Sequence, residues 1–176
     1  MMGGTISLKT TRLSMRKYRP EDAKILYRVF GTDEKMYEYS GWNPYETEET
    51  AKETVQNFID SYNNDRFYGW AIEYNGDLVG TMGAYDYDAE MNSIEIGFSI
   101  ERAVWGNGFA SEALKCVLAY LTEHEGIKTI HAWCASENIG SREAMLRAGM
   151  IQIGIEKDSL NINNYIFDKL IFKFYA

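Results

Sequence analysis

The 176 residues include only two cysteines, two histidines and two prolines. Cys116 and Cys134 are too few for a disulfide framework and show no metal-ligand spacing. Each is expected to act as a small buried hydrophobe. His124 and His131 are too few and too far apart in sequence to suggest a metal site, so none is expected. With only Pro20 and Pro44 there is no proline-rich linker, and no repeat or low-complexity stretch interrupts the chain. No apolar run reaches the roughly 18 residues that a membrane-spanning helix needs. The opening Met1-Met2-Gly3-Gly4-Thr5 lacks a basic segment followed by an apolar one, so no secretory signal is expected and the expected location is cytoplasmic. A basic excess is missing as well: 18 Lys and Arg face 26 Asp and Glu, a net charge of −8. That argues against nucleic acid as the main partner, because such binding rests on clustered cations. It suits a cationic acceptor, or solubility alone.

What is present fits one domain spanning 1–176, with a hydrophobic fraction of 45% and a full core. Arg12 to Arg16 alternates as a strand, and Pro20 with Glu21 and Asp22 marks a helix start. A second helix is expected from near Thr47 toward Tyr62. Trp70, Ile72 and Tyr74 alternate up to Asn75-Gly76, a strong hairpin signal, and Leu78 to Tyr85 returns. Ile94 to Ile100 reads as a strand with Ile94, Ile96, Phe98 and Ile100 on one face, Glu95 and Ser99 on the other. Ala110, Leu114, Val117, Leu118 and Leu121 mark a long amphipathic helix. Lys128 to Cys134 is a strand, and Ile139 to Ala148 a helix closed by Gly149. Strands carrying Ile151, Ile153 and Ile155, then Leu170, Phe172 and Phe174, end the chain. The order βααβββαβαββ predicts an α/β fold with a mixed sheet and helices on its faces.

Between the Ile94 strand and the long helix lies Trp105-Gly106-Asn107-Gly108-Phe109-Ala110-Ser111. Free N–H groups and the helix dipole converge at such a junction, and glycine lets main chain approach an anion closely. A tight turn alone would also explain the glycines. The Walker sequence Gly-x-x-x-x-Gly-Lys-Ser/Thr is absent. A dinucleotide fingerprint would want glycine or alanine at Ser111 and an acid ending the next strand, whereas Glu125 precedes that strand.

Glu95 to Leu114 resembles the acetyl-CoA motif of the GNAT N-acetyltransferases, and more narrowly the Rim-type branch named for ribosomal-protein N-terminal acetyltransferases. Thr11-Arg12-Leu13-Ser14-Met15-Arg16 with Asp22-Ala23 is similar to that branch's opening. Asn138-Ile139-Gly140-Ser141, ending in Ala148-Gly149-Met150, is similar to its second CoA motif. The resemblance implies a GNAT-like central mixed, mostly antiparallel twisted sheet with helices on both faces, and acetyl-CoA as cosubstrate. It implies that backbone at Phe98, Ser99 and Ile100 pairs with the pantetheine arm like an added strand. Amides of Gly106, Asn107, Gly108, Phe109, Ala110 and Ser111 would hold the pyrophosphate, and the Asn138 side chain would touch the pantetheine. Where many relatives open the turn with Arg or Gln, this chain has Trp105, read as a packing residue over the turn.

The implied reaction moves acetyl from a thioester to an amine that arrives protonated. Deprotonation at pH 7 costs about 4–5 kcal/mol for a lysine-like amine and about 1 kcal/mol for an α-amine. Glu95 is the candidate base, directly or through water; its alternative role is a cross-strand or solvent partner. A backbone N–H near Phe98 would hold the oxyanion if the strand bulges or splays there. The family's tyrosine acid is replaced by Met145, leaving Ser141 as the candidate acid, or as part of the helix's first turn. Tyr85 and Asp86 are candidates for acceptor contacts. Glu46, Glu48, Glu49 and Glu53, with Asp86, Asp88 and Glu90, form either an acidic acceptor groove or a solvated face. Tyr37, Tyr39 and Trp42 stand ready to wall it. The acceptor is expected to be a peptide N-terminus, a polyamine or an amino sugar, with no nucleic acid or membrane partner, and the chain a monomer or homodimer. A non-catalytic acyl-CoA-sensing module is the alternative.

Overall fold

A computed structural model describes residues 3–176; Met1 and Met2, the first residues of the opening segment, lie outside the described residues. Eight strands form one sheet in the order β1-β2-β3-β4-β5-β6-β8-β7. They are β1 (Leu8–Lys9), β2 (Leu13–Arg16), β3 (Tyr68–Tyr74), β4 (Asp77–Asp88), β5 (Ser93–Ile100), β6 (Thr129–Ala135), β7 (Ile151–Ile162) and β8 (Tyr165–Tyr175). Every neighbouring pair is antiparallel except β5 with β6, so the sheet is mixed and mostly antiparallel, as the sequence predicts. The helices are α1 (Asp22–Leu26), α2 (Glu48–Ser61), α3 (Phe109–Ala119) and α4 (Ile139–Arg147).

Local chemistry accounts for the boundaries. Thr47 caps α2 through its side chain, and Thr50 reaches back to the Thr47 amide, a reciprocal pair that satisfies two otherwise free donors. Asn75 (φ 51°) and Gly76 (φ 84°) take the left-handed conformations a tight hairpin turn needs. Gly149 (φ 100°) ends α4, and the Met150 amide returns to the Met145 carbonyl. Two elements depart from the sequence pattern. The two-residue strand β1 carries too little pattern to be recognised, and α1 is short, passing at Tyr27–Gly31 into a wider π-type turn.

The sheet separates two apolar cores. Trp70, Ile94, Leu114, Leu118, Met145 and Phe172 pack between one face and α3 with α4. Tyr18, Leu26, Phe30, Ala51 and Val55 pack α1 and α2 on the other, reaching Ala71 of β3. Adjacent Trp70 and Ala71 thus serve opposite cores, as strand alternation requires. Leu114, Val117, Leu118 and Leu121 are buried as their helical spacing predicts, while Ala110 and Cys116 are half-buried and Cys134 is fully buried. Among the described residues no helix is long and apolar enough to cross a membrane, and no His/Cys/Asp/Glu group could hold a metal ion.

Candidate active site

The site begins where the sheet comes apart. β5 pairs with β4 along its length, in unbroken register from Tyr85↔Glu95 to Gly80↔Ile100. On its other side it pairs with β6 only at Ser93↔Thr129, Ile94↔Ile130 and Glu95↔His131. Beyond that vertex β6 follows β8, with Ala132↔Phe172 through Ala135↔Lys169, and leaves β5. The two parallel strands open as a V between residues 96–100 and 132–135. The polar groups exposed by the opening can be assigned. The Glu101 amide donates to the Val79 carbonyl, which makes 101, 99 and 97 the residues whose amides face β4. The N–H and C=O of Ile96, Phe98 and Ile100 therefore face the V. Of the two routes open for a free amide at Phe98, a bulge or a splay, the structure takes the splay: β5 has no bulge there.

Trp105 closes the far end of that edge. Its indole N–H donates to the Ile100 carbonyl at 2.6 Å, while its ring is half exposed. The sequence reading made it a packing residue over the turn. The structure adds a hydrogen bond that ties the turn to the end of β5.

The turn itself points its amides outward. Gly106 (φ 84°) and Gly108 (φ 77°) are left-handed, and Gly108 is the N-cap of α3 without any side-chain cap. The polar side chains serve the turn's own carbonyls: Asn107 Nδ2 donates to Val104 O at 2.8 Å, and Ser111 Oγ to Gly108 O at 3.0 Å. Among the described residues no internal acceptor takes the amides from Gly106 to Ser111; the first donor inside the helix is Glu112, to Gly108 O. A row of free N–H groups at a helix start is an anion cradle. A Cβ on Gly106 would meet nothing within 4 Å, so the space above the turn is open.

One cationic side chain also stands there, and sequence reasoning missed it. Arg12, from the start of β2, sits over the Phe109 ring at 4.6 Å and is held by Glu112 through Nε–Oε1 at 2.8 Å. Its Nη2 lies 3.6 Å from where a Cβ on Gly108 would be. Nothing local in the sequence joins residues 12 and 108; the available signal was an acid, Glu112, in the first turn of a helix otherwise suited to anions.

Asn138, the N-cap of α4, accepts from the Ser141 amide with Oδ1 at 3.2 Å, so its Nδ2 remains for a ligand. Ser141 lies in that first turn, half-buried, and Met145 is buried in the core at 1% exposure. Glu95 and His131 stand at the vertex of the V on the face away from α3, and Tyr85 leans across Gly97. A Cβ on Gly97 would lie 2.9 Å from Tyr85 Oη, so glycine makes room for that hydroxyl. Burial and then the neighbouring Glu95 carboxylate push the Tyr85 phenol above its ordinary range.

The segment between α1 and α2 bridges the open end of the V. On the β5 side Asp33 pairs with Arg102 at 2.8 Å. On the β6–β8 side Tyr39 meets Phe167 edge to face at 5.7 Å. Between this segment, α2 and the β7–β8 turn lies a groove of about 510 Å³ lined by Tyr37, Trp42, Glu46, Glu53 and Asn163 among others. The acidic residues do not gather into one groove, which fits the solvated-face alternative for the rest: of that set only Glu46 and Glu53 line this groove. Asp88 instead caps the β4–β5 turn, accepting from the amides of Glu90 and Met91, at the closed end of the V. Tyr39 packs on Phe167 and does not line the groove.

A sheet split along one parallel pair, with an open amide cradle at the next helix start, defines a class of enzymes that hold an acyl-CoA thioester in the split. The chain belongs to the GNAT acetyltransferase family: the family model described as "Acetyltransferase (GNAT) domain" matches residues 12–151. It is similar to the N-acetyltransferase YoaA of Bacillus subtilis (strain 168), 29% identical over 167 residues and 94% of both chains. Its fold is that of RimL, a ribosomal L7/L12 α-N-protein acetyltransferase in complex with coenzyme A, with a TM-score of 0.88 at 16% identity, covering 97% of this chain and 98% of the other. The ribosomal-protein-S5-alanine acetyltransferase of Vibrio fischeri gives 0.86 at 15% identity and 97% coverage of both chains. The chain is thus an acetyltransferase that uses acetyl-CoA, and its structural neighbours include Rim-type enzymes.

Proposed function

We propose that this enzyme acetylates a primary amine, and specifically the α-amine of a peptide N-terminus, by direct attack on the thioester. The observation that carries the proposal is the V itself: an edge left open at Phe98, between the last β6 pairing and the Ile100 carbonyl that Trp105 takes, beside the open cradle of Gly106–Ser111. An extended pantetheine arm would complete the ladder along Phe98–Ile100, with Asn138 Nδ2 on its opposite side. The attacking nitrogen would form its bond to the carbonyl carbon, and the oxyanion would be held by the Phe98 N–H. Collapse would then break the C–S bond, Ser141 giving its hydroxyl proton to the sulfur and regaining one, through solvent, from the proton that the new amide nitrogen sheds.

The choice of acceptor follows from reach. Glu95 and Phe98 are three residues apart on a strand, about 10 Å between Cα atoms. A glutamate side chain does not span that distance, so Glu95 acts as base through an intervening water. Such an arrangement suits an α-amine, whose deprotonation at pH 7 costs about 1 kcal/mol, better than a lysine-like amine at about 4–5 kcal/mol. A groove lined by Tyr37, Trp42, Glu46 and Glu53 next to the bridging segment offers aromatic and acidic walls to a cationic peptide end. A cytoplasmic location, where such peptides meet acetyl-CoA, belongs to the same reading.

The test is a turnover screen with acetyl-CoA across N-terminal peptides, polyamines and amino sugars, with Glu95→Gln as a companion. Peptides are expected to be the substrates turned over. Glu95→Gln is expected to lower kcat/KM by about 10²–10³ below the amine's pKa and to recover above it. Turnover confined to polyamines or sugars overturns the acceptor, and acetyl-CoA binding without turnover on any amine favours a sensing module.

A further inference from the structure

At the vertex of the V, polar side chains from four strands share one row on the face opposite α3. The register places Tyr85 of β4 beside Glu95 of β5, Glu95 beside His131 of β6, and His131 beside Lys173 of β8. Directly paired residues put their side chains on the same face with Cβ atoms about 5 Å apart. Glu95 and His131 are the last pair before the strands part, so both border the opening of the V. His131 is half-buried.

We propose that His131 relays the amine proton: Glu95 receives it through water and passes it to the imidazole, which releases it to solvent. His131 is a positioning residue that acts through Glu95, and the proposal rests on Glu95 being the base. The transfers balance. The ammonium N–H bond breaks as water gains a proton, water gives one to the carboxylate, the carboxylic acid gives it to an imidazole nitrogen, and the imidazolium returns it to bulk water.

The charged groups facing His131 are Glu95 from β5 and Lys173 from β8, with Tyr85 one strand further on β4. Burial, then the Lys173 ammonium, lower the His131 pKa from its ordinary value, and Glu95 opposes them. The ring is therefore neutral near pH 7 and free to accept. Below its pKa it is already an imidazolium and the relay is blocked, so kcat falls on the acid side.

The experiment measures kcat against pH at saturating acetyl-CoA and peptide for the wild type, His131→Gln, Glu95→Gln and Lys173→Met, with acetyl-CoA affinity by calorimetry. His131→Gln is expected to lower kcat about 10–100-fold near pH 7. It is also expected to erase the acid-side inflection while leaving acetyl-CoA affinity within about twofold. Lys173→Met removes the neighbouring cation without touching the row's proton path, and should move that inflection to higher pH. Wild-type kcat and an unchanged acid limb in His131→Gln, with Glu95→Gln impaired, overturn the relay and leave Glu95 as base. Full activity in both variants removes the base assignment as well. Should His131→Gln fail to fold, an unmoved inflection in Lys173→Met overturns the relay on its own.

Discussion

The two sides of the V are built in different ways. On the side proposed for CoA the groups offered to a ligand are main-chain amides, set by two left-handed glycines and by a strand edge whose partner has left it. On the side proposed for the acceptor they are side chains from separate strands, brought together by register, under a segment held at both ends by a salt bridge and an aromatic contact. Backbone recognition of this kind is specified by a few consecutive residues and tolerates variation in the side chains around it. A side-chain constellation needs each strand in register, and a one-residue slip turns every member to the other face. The first side can be shared across a family while the second is rebuilt for each acceptor.

The strongest way to break this contrast is Gly108→Glu. A non-glycine residue at φ 77° costs about 1–2 kcal/mol, and the new carboxylate enters a cradle of free amides. Acetyl-CoA affinity by calorimetry should fall by at least about 100-fold, with the far-ultraviolet spectrum and cooperative melting retained. Unchanged affinity would mean that the cradle is a turn and nothing more.

A sharper form of the contrast lies within β5 itself. Phe98 directs its amide into the V and Gly97 directs its amide to β4, so proline should have opposite consequences at the two positions. Phe98→Pro removes only the donor proposed for the oxyanion, and relative to Phe98→Ala it should lower kcat about 100-fold at nearly equal melting temperature. Gly97→Pro removes a ladder hydrogen bond and should destabilise the whole sheet. Equal kcat for Phe98→Pro and Phe98→Ala would take the oxyanion role away from that amide.

The division between the two sides also explains what could be read from sequence. Asn75-Gly76, the Thr47 cap, the alternation from Ile94 to Ile100 and the glycines at 106, 108 and 149 are local signals, and the structure follows each of them. The V is not local. It arises because β6 prefers β8 beyond Ala132, a pairing between residues some 40 positions apart that no window on β5 contains. For the same reason His131 looked like an ordinary strand position, although register makes it the neighbour of Glu95. Sequence left the acidic residues open between a groove and a solvated face because composition carries no direction: Asp88 and Glu46 fall at different ends of the V.

Arg12 gives the smallest effect and the finest test, because it belongs to both kinds of recognition. It is a side chain from β2 at an otherwise main-chain site, and it is held by an acid in the first turn of α3. Glu112 suits the helix dipole but would repel a phosphate at the same helix start. Thr10 and Arg12 both hydrogen-bond its carboxylate, and although burial raises the Glu112 pKa, those bonds bring it below its ordinary value. Arg12 thus neutralises Glu112 and adds a cation beside Gly108. Arg12→Gln should weaken acetyl-CoA binding about 3–10-fold in about 0.01 M salt and much less in about 1 M salt, where charges at this distance are screened. Because the pair is partly exposed, folding stability should change by no more than about 1 kcal/mol. Adding Glu112→Gln to Arg12→Gln separates the two roles in calorimetry: affinity that returns to the wild-type value assigns Arg12 to shielding Glu112, and affinity that stays low assigns it to the phosphate. Unchanged affinity in the single variant at low salt would return the site to amides alone.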